Sequence, residues 1–423
     1  MLVCVVTMIA LTSTLSCAQR GRQRIRLETR DVSLGRLPSD IVWETIAVSP
    51  DGRRVGYGAR SGDEWRFVCD GDRRDGYDRI GVVYFSANSR RVSYPAARDG
   101  KEFVVVDGVE GRAYERIAGA RAIFSPNSRR VAYVVVSGGQ FSAVVDGEEG
   151  PWSGFAMTPI FSPDSTRTAY WAGRNGATWK ARSPSTVVVN GRDGKLYDDI
   201  LNPTFSSDST HLAYGAERDG EWFLVVDARE VNGGYERVDH VGFADDGATA
   251  TCNAQRTGTP VAVVGDKEYP SAHSPKVSPD GRRVAYAATR RDHQVAMVDG
   301  VSGPAYEHIR TQGFSPDSKH LAYSAVRGGR SFVVVDGREY RGATDHVVFS
   351  PDSKHVVYWA LTSAGFELMV DGVSAGAYDR PLSLDVLRGF RGLQFVFDSA
   401  DSFYAVAVRN GHVLRTEVRI VEE

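Results

Sequence analysis

One 25-residue sentence recurs along this chain. "GFSPDSKHLAYSAVRGGRSFVVVDG" at 313–337 is echoed by "IFSPNSRRVAYVVVSGGQFSAVVDG" at 123–147, "KVSPDGRRVAYAATRRDHQVAMVDG" at 276–300 and "VFSPDSKHVVYWALTSAGFELMVDG" at 348–372. Aligned on the "FSPD" serine, ten copies are anchored at Ser49, Ser86, Ser125, Ser162, Ser206, Ala244, Ser278, Ser315, Ser350 and Val396, spaced 34 to 46 residues apart. A period of this size means supersecondary units that cannot bury their apolar faces alone and must stack on their neighbours.

Each copy carries four short strand signals. The first ends in "IFS" or "VFS", and Ser-Pro-Asp-Ser or Ser-Pro-Asp-Gly follows. Pro presets the first turn torsion, and Asp with Ser or Gly suits the next positions. The second strand reads "RRVAYVVV" at 129–136, and the third ends in "VDG", a tight-hairpin signal. The fourth is short, as in "AYERI" at 113–117. Several strands are continuous apolar runs, which suit sheets covered on both faces. Four strands per unit, stacked radially, predict an all-β protein built as a β-propeller.

The repeat resembles the WD40-like β-propeller repeat of TolB-type proteins, whose hallmark is a "FSPDG-K-R-x-A-Y" strand-turn-strand. The resemblance covers about nine-tenths of the chain. It speaks for fold more than for function, because this scaffold hosts binding modules and enzymes alike. Copy six, "GFADDGATATC" at 242–252, and copy ten, "QFVFDSADSFYAVA" at 394–407, depart most from the pattern. No Pro/Ser/Gly-rich linker divides the units, which favours one ten-bladed ring over two smaller propellers. The last unit ends with its third strand, and "RIRLETRDVS" at 24–33 reads as the strand that completes it.

The start of the chain has its own character. Residues 1–18, "MLVCVVTMIALTSTLSCA", carry no charge and have the length of a signal-peptide apolar region. The expected division is a signal peptide at 1–18 and a propeller at 19–423. "TLSC" also resembles a bacterial lipoprotein box, which makes Cys17 a lipidation candidate, although Thr14 stands where such boxes usually have Leu. The expected location is periplasmic or extracellular, with a membrane tie only through that lipid. Past this segment only Cys69 and Cys252 remain, in strand-like stretches far apart, and they read as buried free thiols. The charge balance, 51 basic against 53 acidic residues, gives no reason to seek nucleic acid.

Several motifs tempt a catalytic reading. Gly372-Val373-Ser374-Ala375-Gly376 matches the nucleophile elbow, but that motif needs a strand-to-helix turn and this one lies in a hairpin. Asp70, Asp72, Asp75 and Asp78 hint at calcium, but their spacing fits no calcium loop and Arg73 and Arg74 offset their charge. His211, His320 and His355 share one place where other copies have Arg. Arg98, Arg174, Arg218, Arg256, Arg290 and Arg327 recur four residues past the second-strand aromatic (or Cys252) and read as loop-capping or stacking residues. No metal and no cofactor is expected.

Two insertions break the repeat. The one at 174–186 lengthens a connection between second and third strands; the one at 380–392 is expected to lengthen a connection between a fourth and a first strand. Such connections open on one face of a propeller. Trp179, Lys180, Arg182, Arg388, Phe390 and Arg391 are therefore the candidate binding residues. The functional expectation is an exported, non-catalytic binding or scaffold module for a protein or other cell-envelope partner. The alternative is a propeller enzyme, a lyase or hydrolase, with its site at the central channel.

Overall fold

The computed structural model describes residues 25–173, 184–201, 203–342, 347–363, 365–382 and 395–423. These residues are strands and turns, with no helix among them. Blade 1 is a meander in which Ile41–Val48, Val55–Ser61, Glu64–Cys69 and Asp72–Tyr77 pair in order. Nine more antiparallel sheets repeat it. Blades 2 to 10 are numbered by their second strands: Val92–Arg98, Val131–Ser137, Thr168–Gly173, Leu212–Arg218, Ala250–Arg256, Val284–Arg290, Leu321–Arg327, Val356–Thr362 and Ser402–Arg409. The first strand is either split, as at Arg79–Ile80 and Tyr84–Phe85, or bulged, as between Ile117 and Ala122.

Both faces of the sheets are covered, as the apolar runs require. Phe67 and Cys69 of blade 1 pack with Ile80, Tyr94 and Phe103 of blade 2. Shared apolar clusters join each later blade to the next. The cycle closes where Val48 and Val55 of blade 1 meet Tyr404, Val406 and Val413 of blade 10. First strands of neighbouring blades adjoin one another, as Ala272–Val277 does His308–Phe314, so they face the axis and the fourth strands form the rim. The protein is a β-propeller. The cycle of contacts supports one ring.

The repeated words are turn chemistry that also joins blades. In "SPDG", the Ser49 hydroxyl donates to Asp51 at 2.5 Å and accepts from the Arg54 amide at 2.9 Å. The fourth turn residue takes a left-handed conformation, as Ser128 does with φ 65°. Its hydroxyl accepts the amide of the preceding blade, Asn88 N–H at 2.9 Å. The same bond recurs from Asn127 to Ser165, Asp164 to Ser209, Asp280 to Ser318 and Asp317 to Ser353. In "VDG", Asp and Gly both have positive φ, 51° and 82° at Asp107 and Gly108, the type I′ signature. The Asp107 carboxylate accepts from the Val92 amide and from Arg91 Nε at 2.7 Å. Arg91 then stacks on Phe124, the "FSP" aromatic of blade 3.

His211, His320 and His355 occupy that arginine place and pair with Asp227, Asp336 and Asp371 at 2.6, 2.6 and 2.7 Å. They are structural. Burial disfavours the charged His355 ring, but its hydrogen bond to Asp371 and the charges of Asp371, Asp352 and Glu422 outweigh that and raise its pKa above the ordinary 6.5. A raised pKa in the fold means stability fully present below the unfolded value and lost as pH rises through the folded one. The stability gap between the parent and His355→Gln in urea denaturation should therefore be widest near pH 5–6, at about 1–2 kcal/mol, and shrink by pH 8. A gap that grows with pH would overturn this assignment.

The recurring arginines cap the blade boundaries. Tyr235, at the end of blade 5, donates to Glu268 of blade 6 at 2.6 Å. Arg256 holds the same carboxylate at 2.7 Å and covers the Tyr235 ring. Arg218 with Glu230 and Tyr197, and Arg327 with Glu339 and Tyr306, repeat this. Arg98 pairs with Glu110 and stacks on Tyr77. Arg290 instead contacts the Met297 sulfur, and Arg174 lies outside the described residues.

Ile25–Arg36 completes blade 10, pairing antiparallel with His412–Glu422 from Ile25↔Glu422 to Arg36↔His412. Asp31 there plays the part of the capping glutamate. It accepts from Arg409 at 2.7 Å and Thr416 at 2.7 Å, with Tyr378 of blade 9 at 3.4 Å.

Candidate binding surface on the axis-side strands

The six candidate residues Trp179, Lys180, Arg182, Arg388, Phe390 and Arg391, and Cys17, lie outside the described residues. What flanks them is placed. The first insertion joins Thr168–Gly173 to Ser185–Val189, second to third strand as expected. The second differs from expectation. Arg380–Leu382 already pairs with Val406–Val408, and Phe395–Phe397 pairs with Phe403–Ala405. Both belong to the first strand of blade 10, so the insertion splits that strand instead of preceding it. Other blades bulge at this same point, which is where extra residues can leave a strand without breaking its pairing. Beside it Arg380 lies over the exposed Trp43 ring of blade 1, 5.2 Å from its centroid.

A second departure on the axis-side strands spans blades 6 to 8. Blade 6 replaces an otherwise apolar or small second-strand position with Asn253, beside Cys252. The Asn253 carbonyl accepts the Ser274 amide of blade 7 at 2.7 Å, and its NH2 lies 3.5 Å from the exposed His240 ring. His240 and Ser274 sit in the bulges with φ 52° and 55°, a left-handed conformation uncommon for residues other than glycine. His273 Nδ1 is 3.1 Å from the Ser274 hydroxyl, and its Nε2 is 3.0 Å from the Gln294 amide nitrogen.

The network fixes the state of His273. The Gln294 carbonyl accepts the Ile309 amide of blade 8 at 2.7 Å, so its NH2 faces His273. An NH2 only donates, so His273 Nε2 must accept, and the proton sits on Nδ1 toward Ser274. Protonating Nε2 would set donor against donor. Burial pushes the His273 pKa below the ordinary value, in keeping with the neutral ring this network requires. The result is a half-buried, neutral imidazole with exposed donors and acceptors around it.

Sequence reasoning missed this cluster. Only His211, His320 and His355 stand out among the histidines by their place in the repeat. The signal was present: His240 stands four residues before the Ala244 anchor and His273 five before Ser278, the one in and the other beside the bulge of an axis-side strand. Among the described residues no group of three or more His, Cys, Asp or Glu is gathered to hold a metal ion. Ser374 lies inside the strand Val373–Tyr378, opposite Met369, and not on a strand-to-helix turn. Cys69 and Cys252 are buried free thiols, both pushed up to about 12 by burial.

No protein-family model matches the chain, and no curated protein matches it in sequence. Similar solved structures include a eukaryotic initiation factor, 11% identical, covering 70% of this chain and 88% of that one with a TM-score of 0.41. An oligogalacturonate lyase from Vibrio parahaemolyticus is 10% identical over 74% of this chain and 96% of that one, with a TM-score of 0.31. TolB from Acinetobacter baumannii is 14% identical over 60% of this chain and 65% of that one, with a TM-score of 0.29.

Proposed function

We propose that this protein is an exported, non-catalytic binding module for a protein or other cell-envelope component, held through the axis-side strands of blades 6 to 8. The observation that carries this reading is the polar network of His240, Asn253, Ser274 and His273 where the repeat otherwise builds bulged, mainly apolar strand. Both His273 nitrogens are engaged within it, which suits a surface held in one shape better than a proton shuttle. The interlocked turns beneath make a rigid platform, which limits the ordering cost of binding.

Pull-down from envelope extracts tests it. His240→Ala/His273→Ala should recover at least about tenfold less of the species the parent captures, the scale of one or two lost polar contacts at a binding surface. Equal recovery by both proteins, with unchanged melting temperature, would sink the reading. Export is tested separately by the intact mass of the protein from its native host. An N-terminus at Gln19 supports a soluble secreted form, a diacylglycerol on Cys17 a lipoprotein, and a retained Met1 rejects both.

A further inference from the structure

The ten blade boundaries are built alike, yet not filled alike. At several of them a fourth-strand side chain lies over the "VDG" turn of the next blade. Arg74 of blade 1 donates to the Gly108 carbonyl at 2.8 Å. Asn232 of blade 5 donates to the Gly265 carbonyl at 2.7 Å. The Tyr340 ring of blade 8 presses so close to Gly372 that a Cβ there would come within 2.8 Å of it.

At other boundaries this cover is missing, for visible reasons. Arg74 and Tyr340 are each the fourth-strand partner of the third-strand residue opposite the one after the second-strand tyrosine. In blade 10 that partner is Asp31, and it is turned back toward blade 9 by Tyr378, Arg409 and Thr416. In blade 3 the residue facing Ala143 is Gly150, which has no side chain to offer, and Gly111, Gly194, Gly303 and Gly376 take the same place in blades 2, 4, 7 and 9. Two of these places hold cavities, of about 550 Å³ between blades 10 and 1 and about 490 Å³ between blades 3 and 4. Both fall in the range of small-ligand sites, roughly 300–1,000 Å³.

Their linings differ in charge. The cavity between blades 3 and 4 is edged by Asp146, Glu148 and Glu149. The cavity between blades 10 and 1 has an apolar floor of Leu34, Leu37, Val55 and Val413, with Arg36, Arg53 and Asp70 in its wall. Neither arginine has an ion-pair partner among the described residues, whereas Arg54 beside them is tied to Asp70. Tyr57 also lines this cavity. Its hydroxyl has no hydrogen-bond partner among the described residues, and its charged surroundings are Asp40, Arg66 and Arg73. Tyr404, its blade 10 counterpart, by contrast donates to the Pro50 carbonyl. An apolar trough beside two uncommitted guanidinium groups and a free phenol donor is complementary to one kind of molecule: an apolar body ending in a planar anion that accepts several hydrogen bonds.

We propose that the groove between the N-terminal strand and blade 1 is a binding site for a small amphipathic carboxylate, with Arg36, Arg53 and Tyr57 receiving the head group and Leu34, Leu37, Val55 and Val413 the apolar body. It is independent of the axis-side surface. Arg36 and Arg53 are exposed, so replacing them should leave the fold intact.

Calorimetric titration of the full chain with sodium decanoate tests it, with octyl glucoside as a neutral-headed probe of similar length. The expected result is saturable one-site binding of decanoate, at least about tenfold tighter than octyl glucoside. Arg36→Gln/Arg53→Gln should weaken it about tenfold or more, and Tyr57→Phe severalfold, in line with the loss of charge-assisted and neutral hydrogen bonds. Decanoate that fails to saturate, or binds no tighter than octyl glucoside, overturns the proposal. So does unchanged affinity in a double arginine variant that melts like the parent.

Discussion

A chain beginning at Pro38 should lose cooperative folding, or melt at least about 15 °C below one beginning at Gln19. The N-terminal strand, Ile25–Arg36, pairs along its length with His412–Glu422. Removing it strips blade 10 of its rim strand and uncovers an edge of 11 residues, His412–Glu422. It also takes Ile25 and Leu27 from the core between blades 9 and 10, and Leu34 from the core that closes the ring on blade 1. Arg409, Thr416 and Tyr378 lose Asp31 together. Each net hydrogen bond is worth about 1 kcal/mol, so the summed loss is on the order of 10 kcal/mol. That rivals the whole stability of an ordinary domain, about 5–15 kcal/mol. A synthetic peptide of residues 25–36 added in trans should recover part of the loss, because the docking edge is otherwise preformed. Identical melting of the two chains would show that this strand does not hold the ring closed.

Trp359→Ala should cost about 3–5 kcal/mol, the usual penalty for emptying a large aromatic site. Trp359 is 1% exposed and lies between blades 9 and 10. Its ring meets Tyr378 edge-on at 5.6 Å and stacks on Phe395 at 5.9 Å. The cavity left cannot close easily, since its walls belong to two sheets each fixed by its own hydrogen bonds. Trp359→Phe, which keeps most of the aromatic volume, should cost less than half as much. Equilibrium denaturation in urea measures both. Similar midpoints for the Ala and Phe variants would mean that blades 9 and 10 do not pack as described.

Both results bear on the weakest point of any ring made from one chain, the junction of its ends. Elsewhere consecutive blades are held by the covalent chain as well as by packing. At this junction blade 10 borrows a strand from the other end, and Tyr404 replaces the usual serine bond by donating to the Pro50 carbonyl of blade 1 at 2.6 Å. The displaced geometry leaves Gly52 without room for a side chain, because an added Cβ would sit 2.7 Å from the Tyr404 ring.

The sequence alone determined the strands, their order within a blade, the number of blades and the strand that completes the last one. These follow from local chemistry: Pro and Asp preset the "SPD" turn, Asp-Gly takes the two positive φ values of a type I′ hairpin, and apolar runs demand cover on both faces. The arginine and histidine series were likewise legible as structural, since a residue repeated in most blades cannot define one site. Only the tertiary structure decided which residues of adjacent blades confront each other. Tyr235 meets Glu268 across 33 positions and Arg409 meets Asp31 across 378. The His240–Asn253–His273 cluster and the uncovered groove at Tyr57 arise the same way, and so does the splitting of blade 10's first strand by its insertion. The physical reason is that turn and strand preferences act within a few residues, whereas a site between blades depends on how two finished sheets are set against each other. No local pattern in the chain encodes that setting.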